Sequence, residues 1–148
     1  MNTKRRNLAL RRIAAVFAGL IAIFILSTVT DVALHASGFY PPWTEPMNDV
    51  HALVATAYRI VFSIFGCYLT ARVAPDHPMR HALALGIAGI LISLAGAVAT
   101  WDAGLGPHWY ALVLVVVSLP CAWLGGRLRV AQQGLLAPAA PATQSPSS

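Results

Sequence analysis

Four apolar blocks, at about 13–35, 52–73, 82–101 and 109–126, divide this 148-residue chain. Each is close to the ~20 residues that carry a helix across ~30 Å of hydrocarbon. Their near-continuous apolarity argues for helices over a barrel, whose strands alternate in ~10-residue segments. Only 10% of the residues are charged and 57% are hydrophobic, against about 25% charged in a soluble domain, so a water-facing surface cannot be built. The expected fold is an all-α membrane protein, an antiparallel bundle of four transmembrane helices at about 13–36, 52–74, 81–101 and 108–126. This transmembrane domain, 13–131, follows a basic N-terminus, 1–12, and precedes a tail, 132–148, whose Ala, Pro and Ser have too little to bury to offset the entropy of ordering.

The first block follows a basic leader, but its 18 uncharged residues, 13–30, exceed the ~7–15 of a signal-peptide apolar region, and no small-x-small cleavage site follows. It reads as a retained helix. Orientation comes from the cations. Lys4, Arg5, Arg6, Arg11 and Arg12 precede helix 1, Arg72 and Arg80 flank the loop between helices 2 and 3, and Arg127 and Arg129 follow helix 4. The other two loops, 36–51 and 102–108, contain no Lys or Arg. By the positive-inside rule both termini and the middle loop are cytoplasmic. The pI near 9.9 then reflects topology and contact with anionic headgroups, with no call for a nucleic-acid partner.

Tyr40, Trp43, Trp101, Trp109 and Tyr110 fall at the outer ends of the spans and form an aromatic belt, and Pro41-Pro42 forbids helix in the first outer loop. The inner turn 74–78 is short, making helices 2 and 3 neighbours. Helix 3 carries small residues at Gly86, Gly89, Ser93, Gly96 and Thr100, a stripe expected to be a packing seam, within the chain in the first place or else between chains. Pro120 is expected to kink helix 4 ahead of Cys121 and the Gly125-Gly126 pair.

Arg59 is the one Lys or Arg of the ten that cannot be placed on the same side of the membrane as the others, and Asp31 is the one carboxylate inside the spans. Ser27, Asp31 and His35 share a face of helix 1, as Arg59, Ser63, Gly66 and Thr70 do on helix 2. At 1.5 Å per residue Asp31 lies roughly 27 Å from the inner boundary and Arg59 roughly 10 Å from the outer one, a nominal gap of about 7 Å. Side chains tilt toward their own helix N-terminus, so Arg59 leans outward and Asp31 inward. An unpaired arginine at this depth costs a few kcal/mol or more. The expectation is an intramembrane Asp31–Arg59 pair, with Ser27, His35, Tyr58 and Ser63 in support, that fixes helix register or lines a polar cavity.

No short metal-ligand motif appears. His35, His51 and His108, with Asp49 and Asp102, could converge at the outer surface, whereas Pro78 separates His77 from His81. Cys67 and Cys121 fall at similar depths without a Cys-x-x-Cys, the pattern of inert packing residues. Neither a metal nor another cofactor is expected, and no catalytic residues are assigned.

The segments Tyr58-Arg59, 69–75, 78–82, Trp109-Tyr110 and 120–126 resemble those of a group of small uncharacterised bacterial four-helix inner-membrane proteins, over about 31–127. The resemblance implies a multi-pass protein of the bacterial inner membrane and carries no activity. The expected function is therefore that of a non-enzymatic accessory or structural membrane component, partnered by the lipid bilayer and by copies of itself or other membrane proteins. A small oligomeric transporter or channel using Asp31 and Arg59 is the alternative, and a membrane enzyme or metal-binding protein using the outer His and Asp residues is the next.

Overall fold

The computed structural model describes residues 3–136. Four helices make up almost all of it, α1 (Thr3–Ala36), α2 (Asp49–Val73), α3 (Pro78–Thr100) and α4 (His108–Leu136). All are long and apolar enough to cross a membrane, and no strand occurs among the described residues.

The helix ends have local causes. After α1 the chain turns at Gly38, whose φ of 76° is one that glycine adopts without steric cost, and Tyr40 N–H reaches back to Leu34 O at 3.1 Å. Asn48 caps α2, its side chain accepting from His51 N–H at 2.9 Å. Asp49 in the first turn meets the positive end of the helix dipole. Pro78 occupies the first turn of α3, where a missing N–H costs nothing.

Two boundaries differ from those read from hydropathy. α1 begins at Thr3, well before residue 13, because 3–12 holds good helix formers and no Gly or Pro. Likewise α4 runs to Leu136, past the expected end at 126 and into the segment assigned to the tail. Hydropathy marks where a helix meets lipid, whereas helicity continues until a breaker stops it. Residues 137–148 of that tail lie outside the described residues. α4 stays helical through Pro120.

The helices pack through small residues. The innermost positions are Ala15, Ala52, Ala55, Cys67, Ala71, Ala82, Leu85 and Ala122, while Phe24, Val98 and Val116 are 70%, 73% and 71% exposed. That inversion suits lipid, where bulky apolar chains gain nothing by facing inward and close backbone approach holds helices together. A Cβ on Gly19 of α1 would come within 2.5 Å of Gly66 O of α2, and one on Gly125 of α4 within 2.6 Å of Ile64 O of α2. α3 meets α4 at Gly86 and Ala122, and again at Gly126, where an added Cβ would lie 2.7 Å from Met79 Sδ.

The expected seam on α3 is used over only part of its length. Gly86 and Gly89 face Ala122 and Ser118 of α4, whereas a Cβ on Gly96 would meet nothing within 4 Å. Gly96 and Thr100 are exposed, and the buried residue at that level is Ala97. The stripe repeats every 3.5 residues and a straight helix every 3.6, so the stripe drifts off the contact line by ~20° per heptad.

α2, α3 and α4 pack on one another, and α1 lies against α2 and more lightly against α3, with no close backbone approach to α4 among the described residues. Met47 N–H donates to Leu105 O at 2.9 Å, bringing the 37–48 and 101–107 loops together at one end. Arg12, near the start of α1, pairs with Asp76 of the 74–77 turn at the other, arginine-rich end.

Candidate functional site

Asp31 and Arg59 meet where α1 and α2 run side by side toward the loop end. Arg59 Nη2 donates to Asp31 Oδ2 at 2.7 Å, and the Tyr58 hydroxyl donates to Asp31 Oδ1. Both carboxylate oxygens thus accept from consecutive residues of α2. The two charged side chains keep 33% (Arg59) and 21% (Asp31) of their surface accessible, so the pair is sheltered without being sealed. On the far side the Arg59 guanidinium lies 5.9 Å from the ring centroid of Tyr110, in the first turn of α4. A cation over an aromatic face gains about 0.5–2 kcal/mol, more where water is excluded. Arg59 therefore draws together α1, α2 and α4, of which α1 and α4 have no close backbone approach among the described residues.

Beneath the pair lies a cavity of about 220 Å³ lined by all four helices. Its walls are mostly apolar, with Leu20, Ile23 and Leu114 among them, but Ser27, Ser63, Ser93 and Ser118 also reach it. Arg59 forms its charged end, and Arg59 Nε is buried without a hydrogen-bond partner among the described residues. Such an arrangement can hold hydrogen-bond acceptors at one end and apolar matter at the other.

Of the supporting residues, Tyr58 touches the pair directly, and Ser27 and Ser63 line the cavity below it. His35 stays apart. Its Nδ1 is 2.8 Å from the Asp31 backbone oxygen, and its ring stacks on Trp43 with centroids 3.6 Å apart. Tyr110, read from the sequence only as a belt residue, is part of the site. The signal for it is its place in the first turn of α4, at the level to which the outward-leaning Arg59 points.

The histidines at the loop end divide into two groups. His35 and His51 both set ring edges against Tyr40, at 5.2 and 5.5 Å, while His108 Nε2 is 2.8 Å from Trp101 O. Asp49 accepts from Trp109 Nε1 at 2.8 Å. No three His, Cys, Asp or Glu side chains come together for a metal among the described residues. Cys67 and Cys121 are both free thiols, buried in the small-residue core. No family model, curated protein or solved structure matches this chain.

Proposed function

We propose that this chain is a non-enzymatic, multi-pass protein of the bacterial inner membrane, an accessory or structural component. Its four helices run antiparallel with both termini in the cytoplasm. The distribution of cations supports that orientation, since Arg12, Arg72, Arg80, Arg127 and Arg129 cluster toward one end and the opposite loops have no Lys or Arg. The accessory reading rests chiefly on the way Arg59 is engaged. Asp31 from α1 and Tyr110 from α4 flank its guanidinium, and Tyr58 binds the same carboxylate. This is the use of a charge that fastens helices. The partner surface would be the exposed half of the α3 stripe, Gly96 and Thr100, with the neighbouring Ala95 and Ala99, where a second helix could approach closely.

The cavity favours a second reading, a small oligomeric transporter or channel in which Arg59 and the serine hydroxyls meet a solute. Thiol mapping separates the two. Single cysteines at Ser27, Asp31, Arg59 and Ser63, with Cys67 and Cys121 replaced, are treated with a membrane-impermeant reagent from the loop side. Protection at Ser27 and Ser63 in a correctly inserted protein is the expected result. Rapid labelling there would hand the site to the transport reading.

A further inference from the structure

Most cations of the arginine-rich end are accounted for by water or by a partner. Arg12 pairs with Asp76, and Arg127 lies over the Trp123 ring at 5.0 Å. Lys4, Arg5, Arg6 and Arg11 are exposed on the first turns of α1, and Arg80 is exposed on α3. Arg72, itself exposed, and the half-buried Arg129 share one hydrogen-bonded network. Arg72 Nη1 donates to the Tyr68 hydroxyl at 3.1 Å, Tyr68 donates to Gln132 Oε1 at 2.9 Å, and Arg129 Nη1 donates to the same oxygen at 2.9 Å. Two guanidiniums are thus joined through two neutral side chains, and neither has a carboxylate among the described residues. Arg129 Nε is buried there without a partner. An anion beside this network would meet two cations with no carboxylate competing for them.

Tyr68 and Gln132 are also the polar end of a shallow groove of about 480 Å³ between α2 and α4, whose remaining walls are Val61, Ile64, Phe65 and Leu128. Val61, Phe65 and Leu128 are 61%, 47% and 55% exposed, on a surface that meets hydrocarbon if α2 and α4 cross the membrane. Residues 61, 65, 68 and 72 follow one face of α2 for about 16 Å, close to the depth of one leaflet of a ~30 Å core.

We infer that this groove binds an anionic phospholipid. The phosphate sits between Arg72 and Arg129, with the Tyr68 hydroxyl and Gln132 beside it, and one acyl chain lies along Val61, Ile64, Phe65 and Leu128. A free anion would gain only the upper half of this site, and a zwitterionic lipid such as phosphatidylcholine would bring a quaternary ammonium, along with its phosphate, against two guanidiniums that repel it. Basic pockets between transmembrane helices on the cytoplasmic side are suited to such headgroups. The site rests on the membrane-spanning part of the reading above and is independent of what Arg59 does.

The test uses the full-length protein in mild detergent, incubated with phosphatidylglycerol, with phosphatidylcholine carrying the same acyl chains, or with inorganic phosphate. Retained lipid is counted by native mass spectrometry and the thermal midpoint is followed. Phosphatidylglycerol should be retained and raise the midpoint, the other two should do neither, and R72Q/R129Q should weaken retention on the order of tenfold or more. An R5Q/R6Q control should retain phosphatidylglycerol as the parent does. Independently of the arginines, Val61→Trp, which fills the groove and keeps both of them, should also release the lipid. Equal retention of phosphatidylcholine, equal stabilisation by phosphate alone, or unchanged retention in well-folded R72Q/R129Q would each overturn the proposal. None of these results bears on thiol accessibility at Ser27 or Ser63, so the two readings fail separately.

Discussion

Gly19 of α1 and Thr70 of α2 approach so closely that a Cβ on the glycine would lie 2.0 Å from Thr70 Oγ1. The Gly66 carbonyl and Leu85 Cδ2 close the other sides of the same space, at 2.5 and 2.8 Å. Since a backbone oxygen cannot rotate away, Gly19→Ala must push α1 from α2, at a cost of about 1–3 kcal/mol. Gly86→Ala should behave similarly, because Ala122 Cβ would lie 2.5 Å away. Gly96→Ala has open space and should be neutral or slightly stabilising through helix propensity. Unfolding in mixed detergent micelles would rank the three, and a Gly96 variant as damaged as the Gly19 one would contradict this packing scheme.

Asp31→Ala leaves Arg59 half-sheltered with no counter-charge. Loss of a sheltered partner costs about 3–5 kcal/mol when burial is complete, and the partial exposure of both groups lowers the expectation to about 2–3 kcal/mol. The reciprocal exchange, Asp31→Arg with Arg59→Asp, should recover a good part of that loss. Chemical denaturation of the single, paired and parent proteins measures the coupling. Equal instability of the exchange and the single variant would remove the helix-joining role.

Tyr58→Phe removes one donor to Asp31 and leaves Arg59 as the remaining one. A hydrogen bond to a charged group contributes about 1.5–3 kcal/mol, so the phenylalanine variant should sit between the parent and Asp31→Ala. Combined with Asp31→Asn its effect should shrink, and a double-mutant cycle reads this directly.

At the opposite end, the Arg12 guanidinium holds the Asp76 carboxyl below its ordinary range. A carboxyl lowered by folding supports the fold above the unfolded-state value and loses that support as pH falls through the folded-state value. The link between α1 and the 74–77 turn should therefore be unchanged across neutral pH and should loosen only below the usual carboxylate range, near 4. A spin label at Leu8 should gain mobility there, and Asp76→Asn should show that mobility at every pH. Mobility that rises already across neutral pH would contradict this link.

Cys67 and Cys121, each 2% exposed, should resist maleimide in the folded protein and react on unfolding. Their labelling rate gives an unfolding readout for the other variants. Fast labelling under native conditions would mean that the core opens.

Helix number and type follow directly from apolar run lengths, because the bilayer fixes how long a spanning helix must be. Depth counting also leads to Asp31 and Arg59, since rise per residue and side-chain tilt locate a charge along the membrane normal without any knowledge of packing. Lateral packing was harder to read. Gly19 does not stand out in α1 as a sequence feature, and its role depends on Gly66 and Thr70 lying opposite. The α3 stripe shows the converse, for a row of small residues is plain in the sequence but its use beyond Ser93 depends on where α4 lies. Arg72 and Arg129 read as topology signals, and only the packing of α2 on α4 joins them through Tyr68 and Gln132.

The partner of Arg59 comes from the helix immediately before it, 28 residues upstream. During synthesis, then, the counter-charge is already made when the arginine emerges, and no later part of the chain is needed to supply it. α1 and α2 can leave the aqueous insertion channel as a hairpin whose two charges cancel, while α3 and α4 are still being translated. The most costly residue to bring into the bilayer is thus neutralised at the earliest point the chain allows.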